Sequence, residues 1–179
     1  GEEQLLLLQH VNMPGRCSKE PRAPHEEEMI RKAQISDVKT IQALLKPFSE
    51  RGEVLPRSLS EIYDNLRDYS VYCTGEQETI VGTCAIHVCW EDLAEIRSLS
   101  VTDGFTQQGI GKALVESCLD EARELGIHRV FVLTYRKAFF EKLGFHTIDK
   151  ASLPHKIWAD CLKCAHFPDC DEVALMKEV

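Results

Sequence analysis

No stretch of this sequence approaches the roughly 20 consecutive apolar residues of a membrane-spanning helix. The apolar LLLLQHV near its start is too short, and Glu2 and Glu3 stand where a signal peptide carries positive charge. A basic excess is missing too: 21 Lys and Arg against 29 Asp and Glu leave a formal charge of −8, and the cations are scattered. A phosphate-backbone binder would show a basic stripe, so neither nucleic acid nor membrane is an expected partner. An anionic ligand would need a local positive site. No internal repeat is visible, which sets aside solenoids and arrays.

What is present suffices for one core. With 179 residues, 44% hydrophobic and 28% charged, the chain reads as a single soluble globular domain. Residues 1–28, rich in Pro, Arg and Glu from Asn12 to Glu28, read as a leader, extension or tail without a core of its own, and the domain is expected over 29–179. Eight cysteines would suggest disulfides in a small secreted protein, but without a secretion signal the expectation is a reduced, cytoplasmic protein. The sequence leaves the oligomeric state open, a homodimer included.

Periodicity predicts an alternating pattern. MIRKAQ is a short strand, and Ser36-Asp37 then cap a helix through VKTIQALLKPF with Ile41, Leu44, Leu45 and Phe48 on one face. Ser58-Leu-Ser-Glu61 is a capping box that opens a second helix, with Leu59, Ile62, Tyr63 and Leu66 inward. SVYCTG, TIVGTCAIHV and LAEIRSLSV read as three strands of an antiparallel meander. A long helix follows to Leu125, with Gly126 as its C-terminal cap and Leu114, Cys118, Leu119, Ala122 and Leu125 on its buried face. Then come a strand RVFVLT, a short helix KAFFEKL, a strand GFHTID, a helical turn in LPHKIWADC and a last strand DEVALMKE. The fold class is α/β (α+β), a mixed and mostly antiparallel sheet flanked by helices.

Gly109 and Gly111 sit at the mouth of the long helix, where glycine carries a local cost. The usual return is close approach of backbone N–H groups to an anion at the positive end of the helix dipole. With its surroundings, SLSVTDGFTQQGIGKALVESCLDEARELGIHRVFVLTYRKAFFEKLGF resembles the acetyl-CoA-binding core of the GNAT superfamily of N-acyltransferases. That family's Gln/Arg-x-x-Gly-x-Gly/Ala signature is matched by Thr106-Gln-Gln-Gly109-Ile-Gly111, and its downstream Gly-Phe by Gly144-Phe145. The resemblance implies a β-α-α-β-β-β-β-α-β-α-β fold and acetyl-CoA as co-substrate. It also implies a pantetheine arm paired with the backbone near Leu99 to Val101, and a pyrophosphate cradled by the amides of Gln107, Gln108, Gly109, Ile110, Gly111 and Lys112. Lys112 reads equally as a solvated first-turn lysine. Thr106 stands where the family usually has Gln or Arg, and Phe140 where many members place the tyrosine that protonates the departing thiolate.

An amine attacks a thioester only when unprotonated, so a base is expected, and Glu95 is the candidate. Strand alternation predicts its side chain on the same face as Leu99 and Val101; its competing role is an ion pair with Arg97. Thr134 and Tyr135, at the end of the neighbouring strand, are candidate acids, against the plainer role of satisfying backbone groups. VLPRSLSEIYDNLRDYSV, HRVFVLTYRKAFFEKLGF and LPHKIWADCLKCAHFPDCDE are similar to the short bacterial amino-acid N-acetyltransferases that make N-acetylglutamate, the first step of arginine synthesis. That resemblance implies L-glutamate as acceptor and Arg57 as a carboxylate ligand, with Arg97, Arg136 and Lys156 as further candidates. Two other readings stay open: a GNAT enzyme for another small amine or a protein N-terminus, and a non-catalytic acyl-CoA or metal-sensing module. The spacing Cys161-x-x-Cys164-x-His166-x-x-x-Cys170 would suit zinc but lacks a second knuckle, so metal is not favoured and a structural cysteine cluster is expected.

Overall fold

The computed structural model describes residues 29–154, 157, 162 and 171–179. The chain runs β1 (Met29–Lys32), α1 (Val38–Glu50), α2 (Leu59–Asp64), β2 (Tyr69–Thr74), β3 (Thr79–Trp90), β4 (Leu93–Val101), α3 (Ile110–Glu124), β5 (Arg129–Thr134), α4 (Lys137–Lys142), β6 (His146–Ile148) and β7 (Val173–Glu178). The strands form one sheet in the order β1-β2-β3-β4-β5-β7-β6. Its pairs are antiparallel except β4 with β5, as a long connection through α3 allows. The mixed, mostly antiparallel class is as expected. The order of elements corrects the family string: three strands, not four, separate α2 from α3, and two follow α4, because only the turns at 75–78 and 91–92 break the meander. No helix among the described residues is long and apolar enough to cross a membrane.

One face of the sheet carries α3, whose Leu114, Val115, Cys118, Leu119 and Ala122 pack on Cys84, Ile86, Ala94, Ile96, Val130 and Val132. Each fully buried aliphatic side chain there contributes about 1.5–3 kcal/mol. The other face carries α1 and α2, with Val38, Ile41, Leu45 and Ile62 against Val71 and Ala85. Two expected core positions are exposed. Leu125 lies past the helix end at 58% exposure, because Gly126 (φ 75°) turns the chain and Ile127 fills the buried place instead. Tyr63 is 43% exposed, since the short α2 turns only Ile62, and Leu66 just after it, fully inward.

Ser58 caps α2 as expected, its Oγ accepting from Glu61 N–H while the Glu61 carboxylate accepts from Ser58 N–H. Asp37 does not cap α1. It ends a 3-10 turn, Ile35–Asp37, and its carboxylate accepts from Gln34 N–H at 2.7 Å and Arg31 Nη1 at 2.6 Å. The Arg31 guanidinium holds the Asp37 carboxyl below the usual carboxylate range, against the opposing effect of burial. A depressed folded-state value stabilises above the unfolded value near 3.9 and is lost as pH falls through the folded one. Asp37→Asn should therefore cost about 1.5–3 kcal/mol at neutral pH, the scale of a charge-assisted hydrogen bond. Denaturant melts of both proteins should converge in acid.

One irregularity prepares the site. Ala85 of β3 pairs with Arg97 of β4 and Thr83 with Ser100, so β4 carries an extra residue there, and Ser98 takes a left-handed φ of 56°. Such a bulge reverses the alternation. Leu99 and Val101 pack toward α3, whereas Glu95 lies opposite His87, and Arg97 opposite Ala85, on the face of α1 and α2. The expected common face of Glu95, Leu99 and Val101 is thus corrected. The register of β4 with β5 stops at Ile96↔Val132, while β5 stays paired with β7 to Thr134. Past Ile96 the two parallel strands diverge.

Candidate active site

The divergence opens a cavity of about 820 Å³ between β4 and β5. Six cations and four carboxylates line it among the described residues, a local positive site in a chain of formal charge −8. An anionic ligand gains from such focusing.

At one end stands the mouth of α3. The helix ladder begins with Ala113 N–H donated to the Gly109 carbonyl at 2.9 Å, which leaves the amides of Ile110, Gly111 and Lys112 directed out of the helix. Gln107 (φ 62°) and Gly109 (φ 86°) are both left-handed, and a backbone that alternates in this way turns successive N–H groups into an anion-binding concavity. The two glycines serve different purposes. A Cβ on Gly109 would meet nothing within 4 Å, but its φ strains any L side chain, whereas one on Gly111 would touch Phe139 Cζ at 3.6 Å and Val101 Cγ2 at 3.9 Å. Gly109→Val should therefore abolish coenzyme A binding, and Gly111→Ala should keep it within a few-fold, both read by titration calorimetry; equal behaviour of the two variants would contradict the distinction. Lys112 lines the cavity while its Nζ lies 3.6 Å from Glu116, a solvated i,i+4 pair. The Gln108 side chain turns back to the Gly104 carbonyl, and Thr106 Oγ1 donates to the Asp103 carbonyl, so both hold the loop itself.

Leu99 and Val101 line the same cavity, on the stretch of β4 that β5 leaves unpaired. Exposed strand N–H and C=O groups are a template for an extended ligand with amide groups. The span from Glu95 to Val101 is roughly 20 Å at the rise of a strand. A pyrophosphate at the α3 mouth and an amide-bearing arm along β4 fit these residues, which is what coenzyme A requires.

Glu95 enters from the other face. Its Oε2 lies 3.6 Å from Arg97 Nε, and both side chains are largely buried. The ion pair considered as its competing role is therefore present, and the two residues share the cavity wall. Arg57, in the segment between α1 and α2, also lines the cavity; its side chain is 10% exposed, with Nη1 3.8 Å from Glu61 Oε1. Burial pushes the Tyr69 phenol up, while the Ser98 hydroxyl and the charges of Arg57 and Arg97 act the other way.

Across the cavity, Thr134 Oγ1 accepts the Arg136 N–H at 2.9 Å, which orients a hydroxyl that retains its own proton to donate. Tyr135 also lines the cavity and is 42% exposed. Arg136 is engaged by Glu53 at 2.8 Å. Phe140 is buried edge-on between Phe139 and Phe145, with no group to give a proton. His87 pairs with Asp68 at 2.6 Å. Lys156, Cys161, Cys164, His166 and Cys170 lie outside the described residues; among those described, no His, Cys, Asp and Glu cluster could hold a metal ion.

Arg51, Glu53 and Ser98 also line the cavity, and no motif in the sequence marks them. Ser98 reads in the sequence only as one more alternating strand position. Only the fold brings them to the cavity.

The model of the acetyltransferase (GNAT) family matches residues 38–145. An uncharacterized N-acetyltransferase of Chlorobaculum tepidum is 36% identical over 86% of this chain and 98% of its own length. An amino-acid acetyltransferase of Mycobacterium tuberculosis is 37% identical over 68% of this chain and 70% of its own. The crystal structure of N-acetylglutamate synthase from Neisseria gonorrhoeae, complexed with coenzyme A and N-acetyl-glutamate, superposes with a TM-score of 0.77 at 26% identity, covering 87% of this chain and 36% of that one. With α3 opening on a row of outward backbone N–H groups, a strand edge left open beside it and a family match over residues 38–145, the chain belongs to the acetyltransferase (GNAT) family.

Proposed function

We propose that this acetyltransferase acetylates the α-amino group of L-glutamate. The observation that carries the reading is that Arg57, Arg97 and Glu95 line one cavity, with Glu95 Oε2 3.6 Å from Arg97 Nε. Two guanidiniums suit an acceptor with two carboxylates, since each offers planar bidentate donors. The relatives named amino-acid acetyltransferase and the synthase solved with N-acetyl-glutamate support the same substrate class.

Acetyl-CoA, when bound, supplies an acetyl thioester. Residues 107–112 hold its pyrophosphate through backbone N–H groups, and the open edge of β4 at Leu99 to Val101 holds its amide-bearing arm. Arg57 and Arg97 orient the acceptor carboxylates, and Glu95 removes a proton from the ammonium group directly or through one water. Thr134 donates from its oriented hydroxyl toward the leaving sulfur, with Tyr135 next to it. The demand on that acid is small, because a thiol ionises near pH 8.5. Incubation with acetyl-CoA and L-glutamate should yield N-acetyl-L-glutamate and one free thiol per product, read by mass spectrometry and thiol titration. Hydrolysis of acetyl-CoA without an N-acetylated product would overturn the reading.

A further inference from the structure

Glu53 lies in the connection between α1 and α2 and holds two arginines at once. Its Oε1 accepts from Arg51 Nε at 2.5 Å, and its Oε2 from Arg136 Nη2 at 2.8 Å. Arg51 closes α1 and stacks its guanidinium 4.5 Å over Phe48, whereas Arg136 stands 83 residues from Glu53 in sequence, at the start of α4. All three line the cavity. The contact thus joins the wall that carries Arg57 to the wall that carries Thr134.

The bridging group is the side-chain carboxylate of a glutamate, the same group that a glutamate acceptor would present. Its place between two guanidiniums demonstrates that this part of the cavity accommodates a carboxylate with charge-assisted hydrogen bonds on both oxygens. The two arginines keep the Glu53 carboxyl below the ordinary range, so it is fully charged at neutral pH. The bridge is also exchangeable, because the Arg136 side chain is 70% exposed and ion pairs in contact with water are weak.

We infer that Glu53 is a built-in surrogate for the acceptor's side-chain carboxylate: it occupies Arg136 in the free enzyme and yields that arginine to the incoming acceptor. This rests on the reading of a dicarboxylic acceptor given above. Arg136 then becomes an acceptor-binding residue whose availability Glu53 restricts. An acceptor that lacks the second carboxylate gains nothing from the exchange.

The test is a double-mutant cycle of Glu53→Gln and Arg136→Ala, with steady-state kinetics on L-glutamate and L-glutamine at saturating acetyl-CoA. If the competent state is populated about 10–30% of the time, Glu53→Gln lowers the glutamate KM about 3- to 10-fold. The glutamine KM should shift less. Arg136→Ala should raise the glutamate KM and cancel the effect of Glu53→Gln. A rise in glutamate KM in Glu53→Gln, or a fall that survives in the Arg136→Ala background, would overturn the surrogate role. Failure of the acceptor reading is distinct: the wild-type enzyme would then acetylate no dicarboxylic amine, and the surrogate role would fall with it.

Discussion

Glu95→Gln should lower kcat about 100-fold or more while the affinity for coenzyme A stays within a factor of two, the usual signature of a lost general base. Glutamine keeps the size of the side chain beside Arg97, whose Nε is 3.6 Å from the Glu95 carboxylate. The loss should therefore be chemical. Its pH dependence has a definite sign. An α-amino group titrates near 8 in peptides, so at neutral pH most of the acceptor is an ammonium ion that must be deprotonated. As pH rises the neutral amine accumulates, and the deficit of Glu95→Gln should shrink. The pH–rate profile reads this directly, and wild-type turnover near neutrality would remove Glu95 from the mechanism.

The second large effect concerns Arg57. Its side chain is 10% exposed at the cavity wall, and a desolvated charge pair that loses one partner typically costs about 2–5 kcal/mol. Arg57→Ala should raise the glutamate KM roughly 30-fold to several thousandfold on that scale. Arg57→Lys should recover only part of the loss, because a point charge does not reproduce the planar fork. Coenzyme A affinity, which the proposed function assigns to the mouth of α3, should change little in either variant. An Arg57→Ala enzyme with an unchanged KM for glutamate would place the acceptor carboxylate elsewhere.

Local rules made the cofactor end of the site legible in the sequence. Gly109, the amphipathic run from Leu114 to Ala122 and the Gly126 stop each follow from helix chemistry, and each stands where the residues put it. The acceptor end was legible only in part. Glu95 and Arg57 reach the cavity, yet the argument from alternation that singled out Glu95 does not hold, because the bulge at Ser98 reverses the faces of β4 beyond Arg97. A serine in a left-handed conformation leaves no local signature; the pairing of β4 with β3 across the bulge shows it. The bridge from Glu53 to Arg136 was invisible for a similar reason, since a contact 83 residues apart in an apparent loop has no periodicity to betray it. Spacing alone points Tyr63 and Leu125 inward, and both lie where a helix ends before its stripe is complete.

The acceptor is identified by thiol release from acetyl-CoA against a panel of free amino acids and simple amines. Glutamate and aspartate carry the same charges, so coulombic attraction alone separates them poorly. A site built to hydrogen-bond a group rejects analogues that leave its own polar groups unpaired. L-glutamate should therefore give the highest kcat/KM, with L-glutamine and L-aspartate well below it. A basic or apolar amine acetylated far better than glutamate would contradict the acceptor assignment while leaving the acetyltransferase intact.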